Sequence, residues 1–258
     1  MKLTNQMALV TGGGHGIGRA IALRLAHEGC DLVLNGRNRE ALEATASKIA
    51  KAGRRAVVSV ADVSDEDAVT QMVQHALQTI GRIDILVNNA GIVGPTAPVH
   101  NVNRAEWDET LAVNLTGAFL CAKAVIPHMV ERRSGKIVNI ASIAGKLAYP
   151  LRSAYAASKW GMIGLSRTLA QELGPYNIQV NAICPGPTEG QRMRGVIAGR
   201  ARELGQEEAA VAKLYVEGTA LKRMVNPDHI AALVLLLVSD EGSSITGEAI
   251  DVSAGYAL

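Results

Sequence analysis

Cysteine, aromatic side chains and long hydrophobic runs are all scarce in this sequence. Its three cysteines, Cys30, Cys121 and Cys184, are far apart and outside any C-x-x-C spacing. This pattern argues against a disulfide framework or a cysteine zinc site and predicts small buried thiols in a reducing compartment. The six histidines show no metal-ligand spacing, so we expect no metal centre. The longest purely apolar run, Ile230 to Val238, is much shorter than a bilayer span, which predicts no membrane association.

Charge of one sign is also lacking, because the formal net charge is only +2 over 258 residues and the basic residues are scattered. A nucleic-acid-binding face is therefore not expected. The first strand begins within seven residues of Met1, which leaves no room for a signal peptide. Together with the free cysteines, these features predict a soluble cytoplasmic protein.

Short apolar strands alternate with longer segments of helical periodicity along the whole chain. This alternation predicts a single α/β domain over 1–258, built as a Rossmann-type, doubly wound parallel sheet with helices on both faces. The predicted strands are Met7–Thr11, Asp31–Asn35, Ala56–Val60, Ile85–Val87, Lys136–Ser142, Ile178–Ile183 and Glu248–Val252. The predicted helices run from the glycine turn to Glu28, Arg39–Lys51, Ser64 or Asp65 to Ile80, Arg104–Arg132, Ala154–Leu173, and from Asn226 through 230–238.

A glycine-rich turn, T-G-G-G-H-G-I-G at 11–18, joins the first strand to the first helix. Glycines allow positive φ angles and a close approach of backbone amides to a pyrophosphate, whose charge the helix N-terminus favours. The spacing of Gly12, Gly16 and Gly18 is G-x-x-x-G-x-G, which differs from the usual G-x-G-x-x-G. A purely structural turn is the alternative, but the position predicts a dinucleotide site.

The end of the second strand bears on the choice of cofactor. An acidic residue there binds the ribose 2′-hydroxyl of NAD, whereas an arginine accommodates the 2′-phosphate of NADP. This chain has Gly36 where the acid would lie, with Arg37 beside it and His15 in the glycine loop. We therefore expect NADP(H) to be preferred over NAD(H). A solvated surface role for Arg37 is the alternative.

Polar and small residues follow the other strands at the same predicted sheet edge, where ligands of open parallel sheets collect. Asp62 follows the third strand and is placed to hold the adenine edge, and N-N-A-G at 88–91 follows the fourth. Asn114 lies within the apolar face of a long helix, where a functional asparagine would use its amide to fix a bound water or to bend the helix. A tolerated polar residue with no function is the alternative.

Ser142, Tyr155 and Lys159 form the candidate catalytic set. Tyr155 and Lys159 are four residues apart in a predicted helix, so both lie on one face. A neighbouring ammonium favours the phenolate, which makes a phenol able to exchange protons near neutral pH. Ser142 ends an apolar strand, where its hydroxyl is placed to hold a substrate oxygen. Taken alone, the Y-x-x-x-K pair also fits an exposed helix face.

With these pieces in order, the chain resembles the short-chain dehydrogenase/reductase family over nearly its full length. The resemblance rests on T-G-x-x-x-G-x-G at 11–18, N-N-A-G at 88–91, Asn114, Ser142, Y-x-x-x-K at 155–159 and P-G at 185–186. It implies that Tyr155 exchanges a proton with the substrate oxygen, Ser142 hydrogen-bonds that oxygen, Lys159 binds the nicotinamide ribose, and Asn114 holds a water. The implied cofactor-binding residues are Gly12, Gly14, His15, Gly16, Ile17, Gly18, Arg37, Asp62, Val63, Asn89, Ala90, Gly91, Tyr155, Lys159, Pro185, Gly186 and Thr188.

The resemblance also implies a homotetramer, paired through helices 104–132 and 153–174 and through 227–238 with 248–252. The segment 189–218 corresponds to the substrate lid. Family members often carry a threonine four residues after P-G, whereas this chain has Gly190 there and Thr188 two residues earlier. We expect a differently shaped entrance to the nicotinamide site. The ending D-V-S-A-G in place of D-G-G is expected to be structural.

The substrate is a small carbonyl or alcohol in this interpretation. The leading hypothesis is an NADP(H)-dependent ketone or secondary-alcohol oxidoreductase, such as a 3-oxoacyl thioester reductase. The alternatives are an NAD-linked dehydrogenase of a sugar, polyol or cyclic alcohol, and a non-catalytic NADP(H) sensor. Arg152 and Arg192 are candidates for binding an anionic group of the substrate, such as a carboxylate, phosphate or sulfonate. Pairing of these arginines with lid glutamates, or exposure to water, is the alternative.

Overall fold

The computed structural model describes residues 1–257 and is organised around one seven-stranded, fully parallel sheet. The strand order across the sheet is β3-β2-β1-β4-β5-β6-β7. The strands are β1 (Met7–Thr11), β2 (Asp31–Gly36), β3 (Ala56–Val60), β4 (Ile85–Asn88), β5 (Gly135–Ile140), β6 (Ile178–Pro185) and β7 (Ala249–Val252). This arrangement confirms the predicted Rossmann-type, doubly wound fold.

Nine α-helices cover the two faces of the sheet within the described part of the chain. They are α1 (Gly16–His27), α2 (Arg39–Lys51), α3 (Glu66–Ile80), α4 (Arg104–Leu111), α5 (Gly117–Arg132), α6 (Ser153–Leu173), α7 (Gln191–Leu204), α8 (Glu208–Glu217) and α9 (Pro227–Val238). Helices α1, α2 and α9 contribute to the core on one face, and α3, α5 and α6 to the core on the other. The predicted helix positions agree to within a few residues, except that 104–132 is subdivided.

Strand β1 shows why both faces must be covered. Its five residues are all buried, and Ala8 and Val10 belong to one core cluster while Met7 and Leu9 belong to the other. Successive side chains of a strand point to opposite faces, so a continuous apolar run packs into the hydrophobic cores on both sides of the sheet.

Two helix starts follow from their capping residues. Asp65 caps α3 by accepting a hydrogen bond from the Ala68 amide. Of the two predicted N-cap candidates, Ser64 and Asp65, the second is therefore the cap. Asn226 caps α9, and Pro227 occupies the first helical position, where no amide donor is needed.

The long helical stretch 104–132 is continuous but contains a turn of π-helix at Ala112–Thr116, between α4 and α5. Asn114 lies in this turn. Among the described helices, this stretch alone is long and apolar enough to meet the length and hydropathy requirements of a bilayer span. Half of its most apolar window is buried in the protein, and core helices of soluble proteins meet the same requirements.

The order of the strands decides where a ligand site forms. The chain winds outward from β1 to β3, and then crosses to the other side of β1 to form β4. The connections that leave β1 and β4 therefore diverge, and a crevice opens between them at the carboxyl edge of the sheet. The glycine turn and the N-N-A-G segment both lie at this point.

Candidate active site

The glycine turn is built by close packing of α1 against the end of β1. Gly12 has a positive φ of 65°. A Cβ atom at Gly18 would lie only 2.2 Å from the Gly12 carbonyl oxygen, so any larger residue would push the helix away. The side chain of His15, the N-cap of α1, makes no capping hydrogen bond. The first amides of α1 are thus left without a side-chain partner, which fits an anionic pyrophosphate.

A cleft of about 590 Å³ runs from this turn along the sheet edge. Most of the predicted cofactor-binding residues line it: Gly12, Gly14, His15, Gly16, Ile17, Arg37, Asp62, Val63, Asn89, Ala90, Gly91 and Thr188. Gly18 does not line the cleft, because it packs directly against the Gly12 backbone. The size and elongated wall of the cleft fit a dinucleotide.

The end of β2 carries no carboxylate on the cleft wall. Gly36 and Arg37 line the cleft there, and an Arg37 Nη1 atom lies 3.6 Å from Asp62 Oδ2. Both side chains are substantially exposed, so this ion pair is weak and leaves the guanidinium available to other anions. Hydrogen bonds from Ser64, together with Arg37, lower the pKa of Asp62 below its ordinary value.

The sequence interpretation did not include Asn35, although it lines the same cleft. Its side chain is completely buried, and its Nδ2 donates to the Ala61 carbonyl at 3.0 Å. Its Oδ1 has no hydrogen-bond partner among the described residues. An asparagine at the end of an otherwise apolar strand was the signal that could have found it.

The N-N-A-G segment is held against β1 by Thr11 and Asn89. The Thr11 hydroxyl accepts from the Asn89 and Ala90 amides at 2.9 and 3.0 Å, and Asn89 Nδ2 donates to the Thr11 carbonyl at 2.9 Å. These bonds fix the edge of the cleft next to Gly91.

A second, smaller pocket of about 100 Å³ adjoins the cleft and contains the predicted catalytic set. Ser142, Tyr155 and Lys159 all line it, together with Pro185 and Gly186. A Cβ at Gly186 would lie 2.7 Å from Ser253 Cα, so the close packing of these two segments requires a glycine at position 186. Residues from three separate parts of the chain therefore converge as predicted.

Ser142 follows β5 and begins a short 3₁₀ turn, Ile143–Gly145. Its Oγ accepts a hydrogen bond from the Ala144 amide at 3.1 Å. This bond fixes the side-chain rotamer and leaves the hydroxyl hydrogen free to donate into the pocket.

Tyr155 and Lys159 lie on the same face of α6, with the Lys159 Nζ atom 5.7 Å from the centre of the Tyr155 ring. The ammonium is 4% exposed and donates to the Ile140 carbonyl at 2.8 Å. Burial, with a further contribution from the Arg192 charge, lowers the pKa of Lys159 to about 7. Lys159 therefore changes charge within the physiological range.

Asn114 is fully buried and its amide is already engaged. Its Oδ1 accepts from the Ile92 amide at 2.7 Å, and its Nδ2 donates to the Ile92 carbonyl at 3.0 Å and to Ser158 Oγ at 3.2 Å. Ser158 in turn donates to the Tyr155 carbonyl at 2.7 Å. The π-helical turn, the loop after β4 and the catalytic helix are thus linked by one residue.

The two candidate substrate arginines differ sharply in environment. Arg152 is 3% exposed, donates from Nη2 to the Val93 carbonyl at 2.5 Å, and lies with Cζ 5.1 Å from the centre of the Tyr155 ring. Arg192 is exposed and donates to the Gly91 carbonyl at 2.6 Å, which places it across the mouth of the cleft. Neither forms an ion pair with a glutamate among the described residues.

The segment 189–218 folds as α7 and α8 over the pocket, with Gly190 as the N-cap of α7. The two helices share a small core formed by Val196, Ile197, Ala201, Val211 and Tyr215. Tyr215 shares a 3.1 Å hydrogen bond with the hydroxyl of Tyr149, a pocket residue that the sequence interpretation did not include. Tyr256, near the end of the chain, stacks on Tyr215 with ring centres 6.3 Å apart.

Comparison with known proteins agrees with this geometry. Residues 6–201 match the short chain dehydrogenase family. The chain is 35% identical to the 3-oxoacyl-acyl-carrier-protein reductase FabG of Thermotoga maritima, with all of both chains covered. It is 37% identical to levodione reductase of Leifsonia aquatica, covering 98% of this chain and 95% of the relative.

Solved structures show the same likeness in three dimensions. NAD⁺-bound xylitol dehydrogenase superposes with a TM-score of 0.96 at 36% identity, over 99% of this chain and all of the other. Given the dinucleotide cleft, the adjoining Ser142–Tyr155–Lys159 pocket and these full-length relatives, the chain belongs to the short-chain dehydrogenase/reductase family of NAD(P)-dependent oxidoreductases, which interconvert carbonyls and alcohols.

Proposed function

We propose that this enzyme reduces a ketone, or oxidises the corresponding secondary alcohol, with Tyr155 as its acid–base residue. The observation that carries the proposal is the convergence of Ser142, Tyr155 and Lys159 on one pocket that opens beside the dinucleotide cleft. A non-catalytic nucleotide sensor would have no need for a proton-transfer group at that position.

Each residue has a role that follows from its contacts. The Ser142 hydroxyl donates to the substrate oxygen and orients it, and the Tyr155 hydroxyl delivers or removes the proton on that oxygen. Lys159 Nζ is anchored on the Ile140 carbonyl and lies 3.9 Å from the position of a Cβ built on Gly91, a residue of the cleft wall, so it would bind the nicotinamide ribose there. Asn114 holds the Gly91–Ile92 segment in place and, with it, the proposed water site beside Lys159.

The residues that line the cleft would hold the nicotinamide cofactor. The amides at the start of α1 would bind the pyrophosphate, Asp62 and Val63 would hold the adenosine half, and Pro185, Gly186 and Thr188 would border the nicotinamide half. When bound, the cofactor supplies or accepts the hydride. The protein contributes orientation, exclusion of water and the proton.

NADP(H) is the proposed preferred cofactor. Gly36 offers no carboxylate to bind a 2′-hydroxyl or repel a 2′-phosphate, and the Arg37 guanidinium is available at the cleft rim. NAD(H) is the alternative cofactor. Two similar solved structures contain it: the NAD⁺-bound xylitol dehydrogenase, and a carveol dehydrogenase from Mycobacterium avium, 31% identical, in complex with NAD.

Two substrate classes are proposed, in order of preference. A 3-oxoacyl thioester is favoured by the full-length match to the Thermotoga reductase. A polyol or cyclic alcohol, oxidised with NAD⁺, is favoured by the likeness to xylitol dehydrogenase and levodione reductase. A non-catalytic NADP(H) sensor is the alternative of another class.

The assembly proposed is a homotetramer of single-domain subunits, each with residues 189–218 as its substrate lid. Phe119 on α5 and Trp160 on α6 are about half exposed, and Leu236 on α9 is also exposed. These are the helices through which subunits would pair. Three free, buried cysteines support a reducing, cytoplasmic location. Trp160→Glu is expected to lower the sedimentation coefficient to that of a smaller species.

Binding and turnover together test the function. The purified protein is titrated with NADPH and NADH by calorimetry, then assayed with 3-oxoacyl thioesters, cyclic ketones and polyols in both directions. We expect tighter NADPH binding and reduction of a ketone that disappears in Tyr155→Phe. Cofactor binding without turnover of any of these substrates would support the sensor instead.

A further inference from the structure

Arg152 forms part of the catalytic pocket wall, and most of its hydrogen-bonding capacity is unused. A guanidinium carries five N–H donors in a planar arrangement. Only Nη2 has a partner, the Val93 carbonyl, while Nε and Nη1 are buried without any partner among the described residues. Buried donors without partners are costly, and a charged one is more so. A group that binds there would recover this lost energy.

The charge of Arg152 is also uncompensated within the protein. No carboxylate lies within ion-pair distance of it in the described chain, and its nearest aromatic contact is the Tyr155 ring. The pocket wall contains Arg152, Lys159 and Arg192, but no aspartate or glutamate. The pocket is therefore built for a ligand of negative charge.

The phosphates of the cofactor do not account for this charge. The glycine turn and Arg37 belong to the larger cleft, and Arg152 does not contribute to the wall of that cleft. Arg192 lines both cavities and so faces either ligand. Arg152 lies only on the substrate side, next to the residue that handles the proton.

We propose that Arg152 binds an oxyanion of the substrate, so that the physiological substrate is a compact oxo or hydroxy acid and not a member of either substrate class suggested by the relatives; this rests on the oxidoreductase function proposed above. The two hydrogens of Nη2 belong to different forks of the guanidinium, one shared with Nε and one with Nη1. Val93 occupies one fork, and the other remains for two parallel hydrogen bonds to a carboxylate, phosphonate or similar group.

The small pocket limits how this anion is presented. A cavity of about 100 Å³, with Tyr155 between Arg152 and Lys159, places the acid group only a few bonds from the reacting carbon. Nε and Nη1 are covered in this structure, and α7 supplies Met193 and Val196 to the wall of the same pocket. The proposal therefore requires a local shift of the pocket wall that exposes these two donors to the anion.

Matched substrate pairs test this assignment. The enzyme, saturated with NADPH or, if that does not bind, with NADH, is assayed with acetoacetate against methyl acetoacetate. A second pair, 2-oxopropylphosphonate against its dimethyl ester, distinguishes a carboxylate from a phosphonate. We expect the wild type to favour at least one anion by about tenfold or more in kcat/KM. Arg152→Met should abolish that preference, so that the ratio of kcat/KM for the anion to kcat/KM for its neutral partner falls to about one or below, and Arg152→Lys should retain part of it.

Arg194→Met is the matched control, because Arg194 is an exposed arginine on α7 that lines neither cavity. The Arg194→Met enzyme should prefer the anions over the neutral ketones by the same factor as the wild type. Equal kcat/KM for anionic and neutral ketones in the wild type, or a preference that survives Arg152→Met, overturns the assignment.

Binding separates this assignment from the proposed function. If no ketone is turned over, the subsite is tested by calorimetric titration of the NADPH complex with the same two anions. Anion binding that Arg152→Met removes, while NADPH affinity and Tm are retained, supports the subsite even though the oxidoreductase function fails. Absence of anion binding, or equal binding to both proteins, removes the subsite.

Discussion

The side-chain amide of Asn114 forms two hydrogen bonds to a single residue, Ile92, accepting from its amide at 2.7 Å and donating to its carbonyl at 3.0 Å. Ile92 immediately follows the N-N-A-G segment that borders the cofactor cleft. A Cβ added at Gly91 would lie 2.9 Å from Asn114 Oδ1, so the loop and the π-helical turn are in close contact. The geometry of the cleft wall thus depends on one buried amide.

Replacing this amide is expected to destabilise the protein and loosen the cleft. Asn114→Ala removes the side-chain partner of both the backbone amide and the backbone carbonyl of Ile92, which should lower the free energy of unfolding by at least about 2 kcal/mol. Denaturant unfolding measures the loss. Asn101→Ala, at an exposed asparagine, should change stability by much less. Comparable losses for the two variants would contradict this interpretation of the Asn114 contacts.

The Tyr155 hydroxyl is expected to contribute far more to turnover than to cofactor binding. Tyr155→Phe removes only the hydroxyl, so kcat should fall by about 10²- to 10⁴-fold, as is usual on removal of a general acid–base group. Calorimetry should show an unchanged Kd for the preferred cofactor. The control Tyr176→Phe alters a partly exposed tyrosine that stacks with Arg133, and should retain full activity. A Tyr155→Phe enzyme of near-normal kcat would require a different proton donor.

Arg37→Asp tests the proposed 2′-phosphate site. The change removes a cation and places a second carboxylate near Asp62, so NADPH affinity should fall by about tenfold or more. NADH affinity should hold or improve, because an acid at this strand end binds the ribose hydroxyl. Arg39→Asp, on an exposed arginine outside the cleft, controls for a general electrostatic effect. If both cofactors weaken equally, Arg37 does not select between them.

Lys159 should leave a signature in the pH dependence of stability. Its folded pKa of about 7 lies below the ordinary value of 10.5, because burial disfavours the charged form. Between these two values the unfolded chain binds the extra proton, so this residue makes the native state more stable as pH rises from about 7 to 10.5. Below pH 7 both states are protonated and the penalty is constant.

Comparison with Lys159→Met isolates this contribution from other titrating groups. The free energy of unfolding of the wild type, minus that of the variant, should increase by a few kcal/mol at most, on the order of the pKa shift, across that pH window. The control Lys48→Met, at an exposed lysine of α2, should show a flat difference. A flat difference for Lys159→Met would mean that the ammonium is not desolvated in solution.

Local patterns were sufficient to predict the fold and the convergence of Ser142, Tyr155 and Lys159 on one pocket. The alternation of apolar strands and amphipathic helices dictates a parallel sheet, and its carboxyl edge collects whatever polar residues follow the strands. Tyr155 and Lys159 meet because helical periodicity places them on one face. Ser142 joins them because β5 ends beside β6 and α6 packs over both.

Contacts between distant segments could not be read in the same way. The π-helical turn at Ala112–Thr116 has no composition that separates it from the α-helix around it. Arg152 is buried because it packs against Val93 and Tyr155 beneath the segment 189–218. No sequence spacing between that segment and Arg152 signals that the two will be in contact. Likewise, the bond between Arg192 and Gly91 joins residues that are 101 positions apart. Such contacts depend on how whole elements dock.

The stack of Tyr256 on Tyr215, with Tyr215 bonded to Tyr149, has a practical consequence for handling the protein. The backbone around Tyr256 is therefore held against α8, which packs with α7 beside the catalytic pocket. An affinity tag fused at the carboxyl terminus would pull on that contact, and clipping of the final residues by a protease would release it. Recombinant protein for kinetic work is therefore best tagged before residue 1, because Leu3 packs in a core cluster that contains neither Tyr215 nor Tyr256.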